Sequence, residues 1–177
     1  GDGTRPTTDR IKETLFNVIQ ADFPGRVFVD LFAGSGAIGI ESLSRGAIKA
    51  YFVDNNKEAI ACIDKNLKHT RLDSKSVVLK QDAVSAILYS IHEEIGVLFL
   101  DPPYGMGFDK ATLENAAKSK AVTEDTLIIV EEQKDADFSY VENLGFEIIK
   151  EKAIGRRTWR FFNQEITAFM GIILIIL

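Results

Sequence analysis

The 177-residue sequence predicts an α/β fold: a doubly wound, Rossmann-like, mostly parallel seven-stranded sheet with a C-terminal antiparallel hairpin. Three observations predict it. Short apolar runs alternate with longer amphipathic ones along most of the chain. The runs around Val29, Phe52, Phe99 and Ile129 are apolar on both faces, as in parallel strands covered by helices on either side. The last two strand-like runs are joined only by "AIGRR", a length that suits a hairpin and not a crossover.

Ile11, Leu15, Val18 and Ile19 share one face of a helix over residues 8–21; Thr7, Thr8 and Asp9 supply capping oxygens and Pro24-Gly25 ends it. "VFVDLF" then reads as a strand and "AIGIESLSRG" as a helix closed by Gly46. "AYFVD" is a strand, "NKEAIACIDKNLKHT" a helix, "SVVLKQ" a strand and "AVSAILYSIHEE" a helix. "VLFLD" precedes a helix over 109–118, and "TLIIVEE" a short helix over 138–143. "FEIIKEK" and "TWRFFN", with Gly155 between them, form the hairpin.

With 46% hydrophobic residues the chain can bury one core, and 1–177 reads as a single domain with an N-terminal segment and helix over 1–22. The apolar tail 166–177, "ITAFMGIILIIL", is shorter than the ~18 residues a spanning helix needs; a buried strand or a cloning artefact is expected there before a membrane anchor. One cysteine, Cys62, excludes an internal disulfide, and neither His69 nor His92 has a metal-ligand partner at useful spacing. No apolar signal core opens the chain, so a cytoplasmic location is expected. A net charge of −5 argues against a polybasic nucleic-acid binder but not against an enzyme with a local basic patch.

In a doubly wound sheet, ligands bind at the carboxyl ends of the strands. After the first strand, Gly34-Ser35-Gly36-Ala37-Ile38-Gly39 satisfies GxGxxG, and Asp54 lies 20 residues beyond Gly34 at the end of the second strand. That spacing matches a dinucleotide fingerprint, and a nicotinamide-dependent oxidoreductase is one reading. Asp30, inside the end of the strand, turns the argument: a carboxylate there opposes a pyrophosphate and suits a cation. S-adenosylmethionine has no phosphate and carries a sulfonium and an ammonium group, and Asp54 can take both ribose hydroxyls. Gln81-Asp82-Ala83 ends the third strand; it is either an adenine contact, with Ala83 leaving room for the ring, or an ordinary helix N-cap.

The fourth strand delivers Asp101-Pro102-Pro103-Tyr104 to the same edge. Proline stops the strand and stiffens the turn. An exocyclic amine on a base is a poor nucleophile, because its lone pair is delocalised into the ring. A carboxylate and a carbonyl accepting its two N–H bonds draw that pair out of the plane. Negative charge at Asp101 meets the positive charge that develops on nitrogen. Tyr104 offers a stacking face to an unstacked base, at roughly 1–3 kcal/mol, against the few kcal/mol that flipping costs.

"DLFAGSGAIGIE", "FVD", "QDA" and "LDPPY", in this order, resemble a class I S-adenosylmethionine-dependent methyltransferase of the amino-group type. With "TRPTTDRIKETLFNVI" ahead of them, residues 4–152 resemble the bacterial RsmD family, which methylates the N2 amine of a guanine in 16S ribosomal RNA. The resemblance implies that Asp30, Phe32, Ala33, Gly34 and Gly36 line the methionine end of the cofactor. Asp54 and Asn55 would hold the ribose, Asp82 and Ala83 the adenine, and Asp101, Pro102, Pro103 and Tyr104 would form the catalytic turn. Arg5, Thr7 and Thr8 would close over cofactor or RNA. It implies 16S ribosomal RNA or the small ribosomal subunit as the partner; a monomer with no membrane association is expected. The DPPY motif alone leaves DNA adenine-N6 and cytosine-N4 methylation open. Arg156, Arg157 and Arg160, where the family pattern fades, either meet phosphate or flank the hairpin turn.

Overall fold

The computed structural model describes residues 5–165; the tail 166–177 lies outside the described residues, as do the side chains of residues 5–7. The elements in chain order are α1 (Arg5–Val18), β1 (Val27–Asp30), α2 (Ala37–Ser44), β2 (Lys49–Val53), α3 (Lys57–Thr70), β3 (Ser76–Leu79) and α4 (Ala83–Ser85). A π-turn at Ala86–Ser90 follows, then β4 (Val97–Leu100), α5 (Phe108–Ala116), β5 (Leu127–Gln133), β6 (Phe146–Ile154) and β7 (Arg157–Gln164).

The seven strands form one sheet in the order β3-β2-β1-β4-β5-β7-β6. β1 to β5 are parallel, and β7 pairs antiparallel with both β5 and β6. The predicted doubly wound class is the observed one. Strand order reverses between β1 and β4, and that is where their carboxyl ends leave a crevice.

The strands alternate their side chains between two cores. Phe28, Phe52, Phe99 and Ile129 point to the face covered by α1, α2 and α3, where Leu15, Phe16, Leu43, Ile63 and Leu67 pack. Val29, Tyr51, Leu98, Leu100 and Ile128 point to the other face, against Ile87, Leu113, Ala116 and Phe138. The last strand of the hairpin contributes to both, Trp159 and Phe161 to the first and Phe162 to the second.

Three element predictions differ from the structure. α1 begins at Arg5, so Thr7, Thr8 and Asp9 fall inside its first turns and not ahead of it. The helix expected over 83–94 is a single α turn that widens into the π-turn, and the chain is extended again at Ile91 (φ −110°, ψ 112°). The short helix expected over 138–143 is a 3₁₀ turn at Glu142–Leu144.

Candidate active site

Loops at the carboxyl edge of the sheet carry the residues singled out in the sequence. Beyond β1 the backbone ladder continues: the Leu31 N–H donates to the Phe99 carbonyl at 3.1 Å and the Ala33 N–H to the Val53 carbonyl at 2.9 Å. The glycine loop is thus tied to β4 on one side and β2 on the other before it enters α2. Gly34 (φ +56°) and Gly36 (φ +83°) adopt left-handed backbone there. A Cβ on Gly34 would meet nothing within 4 Å, so this backbone faces open space, whereas one on Gly36 would come within 3.3 Å of Ile63. Gly34 therefore admits a ligand, and Gly36 admits the packing of α2 on α3.

Asp54 reaches back to the same loop. Its Oδ2 accepts from the Gly34 N–H and its Oδ1 from the Asn56 N–H, both at 2.9 Å. Each oxygen keeps a second acceptor position, so two hydroxyls could still be held. Asn56 caps α3 by accepting from the Glu58 and Ala59 N–H groups. Asp82 caps α4: Oδ1 accepts from the Ser85 N–H at 2.9 Å and Oδ2 from the Ser85 hydroxyl at 2.7 Å. These bonds hold its carboxyl below the usual range. Neighbouring Gln81 accepts from the Ser90 hydroxyl at 2.7 Å, a bond that ties the third-strand loop to the π-turn.

Asp30 is the unusual member. It is 2% exposed, it accepts from the Phe32 N–H, and its Oδ1 has no hydrogen-bond partner. Burial first, then the carboxylates of Asp101 and Asp54, push it up to about 8. An unpartnered buried carboxylate is unstable as an anion until a cationic group compensates it.

From β4 the chain enters the 101–104 turn. Asp101 is raised to about 7, by burial and then by the nearby Glu131 carboxylate, with Arg157 opposing. The Tyr104 ring carries the Arg157 guanidinium at 5.2 Å from its centroid, and its hydroxyl is buried without a partner. Gly105 (φ +70°) and Gly107 (φ +74°) turn the chain into α5. There Phe108 meets Phe32 with ring centroids 6.3 Å apart.

One cavity of about 980 Å³ joins these parts, with Gly34, Asp54, Asp82, Asp101 and Tyr104 all in its wall. Phe32, Asn55, Ala83, Pro102 and Pro103 also line it, whereas Asp30, Ala33 and Gly36 do not. Of the residues expected at the N-terminal segment, Thr8 is exposed on α1, while the side chains of Arg5 and Thr7 lie outside the described residues. Glu131 and Phe108 escaped the sequence reading, and for Arg157 it left two alternatives. The sequence signal was present, since "VEE" ends an otherwise apolar strand, but which acid faces which arginine depends on the pairing of β5 with β7.

This sheet order, with the glycine turn after β1 and an Asp-Pro-Pro-Tyr turn after β4, defines the class I methyltransferase fold. The chain belongs to the RsmD-like family described as conserved hypothetical protein 95, whose model matches residues 1–163. YlbH of Bacillus subtilis is 40% identical over 77% of this chain and 76% of its own length. A Haemophilus influenzae protein named ribosomal RNA small subunit methyltransferase D is 32% identical over 92% of this chain and 84% of its own. A Streptococcus pyogenes structure, described as a conserved hypothetical protein, superimposes with a TM-score of 0.78 at 32% identity, covering 87% of this chain and 95% of that one.

The donor set fits S-adenosylmethionine. The unobstructed Gly34 backbone opens the end where a charged amino-acid moiety would sit, while the unpartnered Asp30 oxygen is buried outside the cavity wall, within electrostatic reach of Asp54 and Asp101. Asp54 keeps acceptor capacity for a ribose, and the cavity is at the upper end of the ~300–1,000 Å³ typical of small-molecule sites. A dinucleotide would bring its pyrophosphate into a cavity whose wall carries the carboxyl groups of Asp54, Asp82 and Asp101.

Proposed function

We propose that this chain is an S-adenosylmethionine-dependent methyltransferase acting on the exocyclic N2 amine of a guanine in small-subunit ribosomal RNA, working as a cytoplasmic monomer. The observation that carries the reading is the single cavity shared by the Gly34 turn and the 101–104 turn. The names of the relatives support ribosomal RNA as the substrate. The "TRPTTDRIKETLFNVI" segment favours guanine N2 over adenine N6 or cytosine N4.

When bound, the cofactor supplies an electrophilic methyl group. Gly34 and Asp30 would hold its amino-acid end, Asp54 with Asn55 its ribose, and Asp82 with Ala83 its adenine. Asp101, ionised, accepts an N–H of the guanine amine together with a backbone carbonyl of the proline turn, localising the lone pair on nitrogen. The same carboxylate opposes the positive charge that nitrogen acquires and is the nearest acceptor for the departing proton. Tyr104 takes the base on its ring face. Pro102 and Pro103 keep both groups fixed relative to β4.

Tritiated methyl transfer tests this. Label should enter 16S ribosomal RNA in small-subunit particles from cells lacking the activity, specifically as N2-methylguanine, and Asp101→Ala should lose turnover while still binding S-adenosylhomocysteine. Incorporation into plasmid DNA instead would move the assignment to adenine or cytosine. Binding of NADH without S-adenosylhomocysteine would remove the methyltransferase reading altogether.

A further inference from the structure

Arg157 opens β7, and antiparallel pairing sets it opposite Gln133 at the carboxyl end of β5, beside the 101–104 turn. Its Nη1 donates to Glu131 Oε2 at 2.6 Å. Glu131 is 7% exposed and also accepts, through Oε1, from the Trp159 indole N–H at 2.8 Å. The guanidinium is therefore held from below by a carboxylate that is itself fixed. Its Cζ lies over one face of Tyr104, 5.2 Å from the ring centroid, and its Nη1 lies 4.0 Å from Asp101 Oδ2.

We propose that Arg157 is a positioning residue for the 101–104 turn, clamping the Tyr104 ring from behind and setting a positive charge against the Asp101 carboxylate. The proposal rests on the methyltransferase reading and deepens it. A separation of 4.0 Å is too long for a hydrogen bond and short enough for charge attraction. A bidentate pair would occupy both Asp101 oxygens; at this distance Arg157 takes up no acceptor position on either. The groups facing Asp101 are otherwise acidic or neutral: Glu131 and Glu132 from β5, Asp30 across from β1, and the Tyr104 phenol in the turn itself. Arg157 is the cation among those that act on it. With one ring face covered, Tyr104 has a single face for a base, which fixes the side from which the base enters. Lysine has charge without a plane, so it can satisfy one of these contacts but not both.

Two measurements test this, one independent of turnover. In carbon-13 NMR of the full chain, Arg157→Gln should move the Asp101 carboxyl titration upward by on the order of one pH unit, while Arg157→Lys should leave it near the wild-type position. In methyl transfer to small-subunit particles, the acidic limb of kcat in Arg157→Gln should move by the same amount. Arg157→Lys should keep the wild-type limb with kcat lowered about tenfold for want of the Tyr104 clamp, and S-adenosylhomocysteine should bind all three proteins alike. An unchanged Asp101 titration in Arg157→Gln overturns the electrostatic part, and wild-type kcat in Arg157→Lys overturns the clamp. If Arg157→Gln does not fold, Arg157→Met, which keeps an apolar stem against Tyr104 and removes the charge, decides the electrostatic part by the same upward movement of the Asp101 titration; no movement overturns it. An inactive wild type would count against the methyltransferase reading, while the NMR titration would still decide the role of Arg157.

Discussion

Asp30 sits 2% exposed with one carboxylate oxygen unpartnered, within reach of the charges of Asp101 and Asp54. Such a residue lowers the stability of the folded chain wherever it must ionise without a cation beside it. Its folded carboxyl is raised to about 8, whereas in the unfolded chain it titrates near ~3.9. Below the unfolded value both states are protonated and there is no penalty. As pH rises from about 4 toward 8 the unfolded chain releases the proton and the folded one retains it, so stability falls, by at most ~1.4 kcal/mol per pH unit. Above about 8 the loss is complete. Asp30→Asn keeps an acceptor for the Phe32 N–H and removes the charge. Its melting temperature should exceed that of the wild type by a margin that grows between pH 5 and pH 8, and its affinity for S-adenosylmethionine should drop. A margin that is constant with pH would mean that Asp30 does not carry the buried proton.

At the scale of elements, the glycine loop combines two requirements that the GxGxxG pattern does not distinguish. Gly34 turns beside open space and Gly36 turns against Ile63 and Phe52, whereas Gly39, inside α2, serves packing alone: a Cβ there would fall 2.8 Å from Phe52 Cζ and closer still to Cε1. Phe52 is fully buried between α2 and α3 and has no room to swing. Gly39→Ala would gain ~1 kcal/mol of helix propensity but overpack the core at a cost of ~1–3 kcal/mol. The clash should win by a kcal/mol or so, lowering the melting temperature by about 2–4 °C in a chain of this size; an increase would show that α2 can move away from β2. The parallel strands were legible because each is a short run apolar on both faces, and Asp30, Asp54 and Asp101 were legible because each ends one of them. The break in the helix over 83–94 was not. Its residues keep helical hydrophobic spacing, and what ends it is the wider π-turn, with Ser90 bonded back to Gln81 and Ile91 buried. Arg157 could not be assigned for a related reason: its contacts with Glu131, Asp101 and Tyr104 cross 26 residues or more of sequence and exist only through the β5–β7 register.

For the whole molecule, the balance of 21 basic against 26 acidic residues constrains how RNA can be met. Affinity for bare nucleic acid grows with the number of phosphates neutralised, and a protein making six to ten such contacts loses roughly 10³–10⁵ in affinity between 50 and 200 mM salt. A chain of net charge −5 with acids around its cavity meets a polyanion with net repulsion. Arg157 and Arg160 are both engaged, one with Glu131 and the other with the Gln133 and Lys134 carbonyls. Recognition must then draw on shape, which a folded particle offers and a deproteinised strand does not. Methyl transfer to small-subunit particles should therefore exceed transfer to free 16S RNA at equal concentration, and KM for the particle should rise by no more than about tenfold between 50 and 200 mM salt. Equal rates on the two substrates, or a salt dependence as steep as that of a polybasic binder, would mean that phosphate contacts dominate after all.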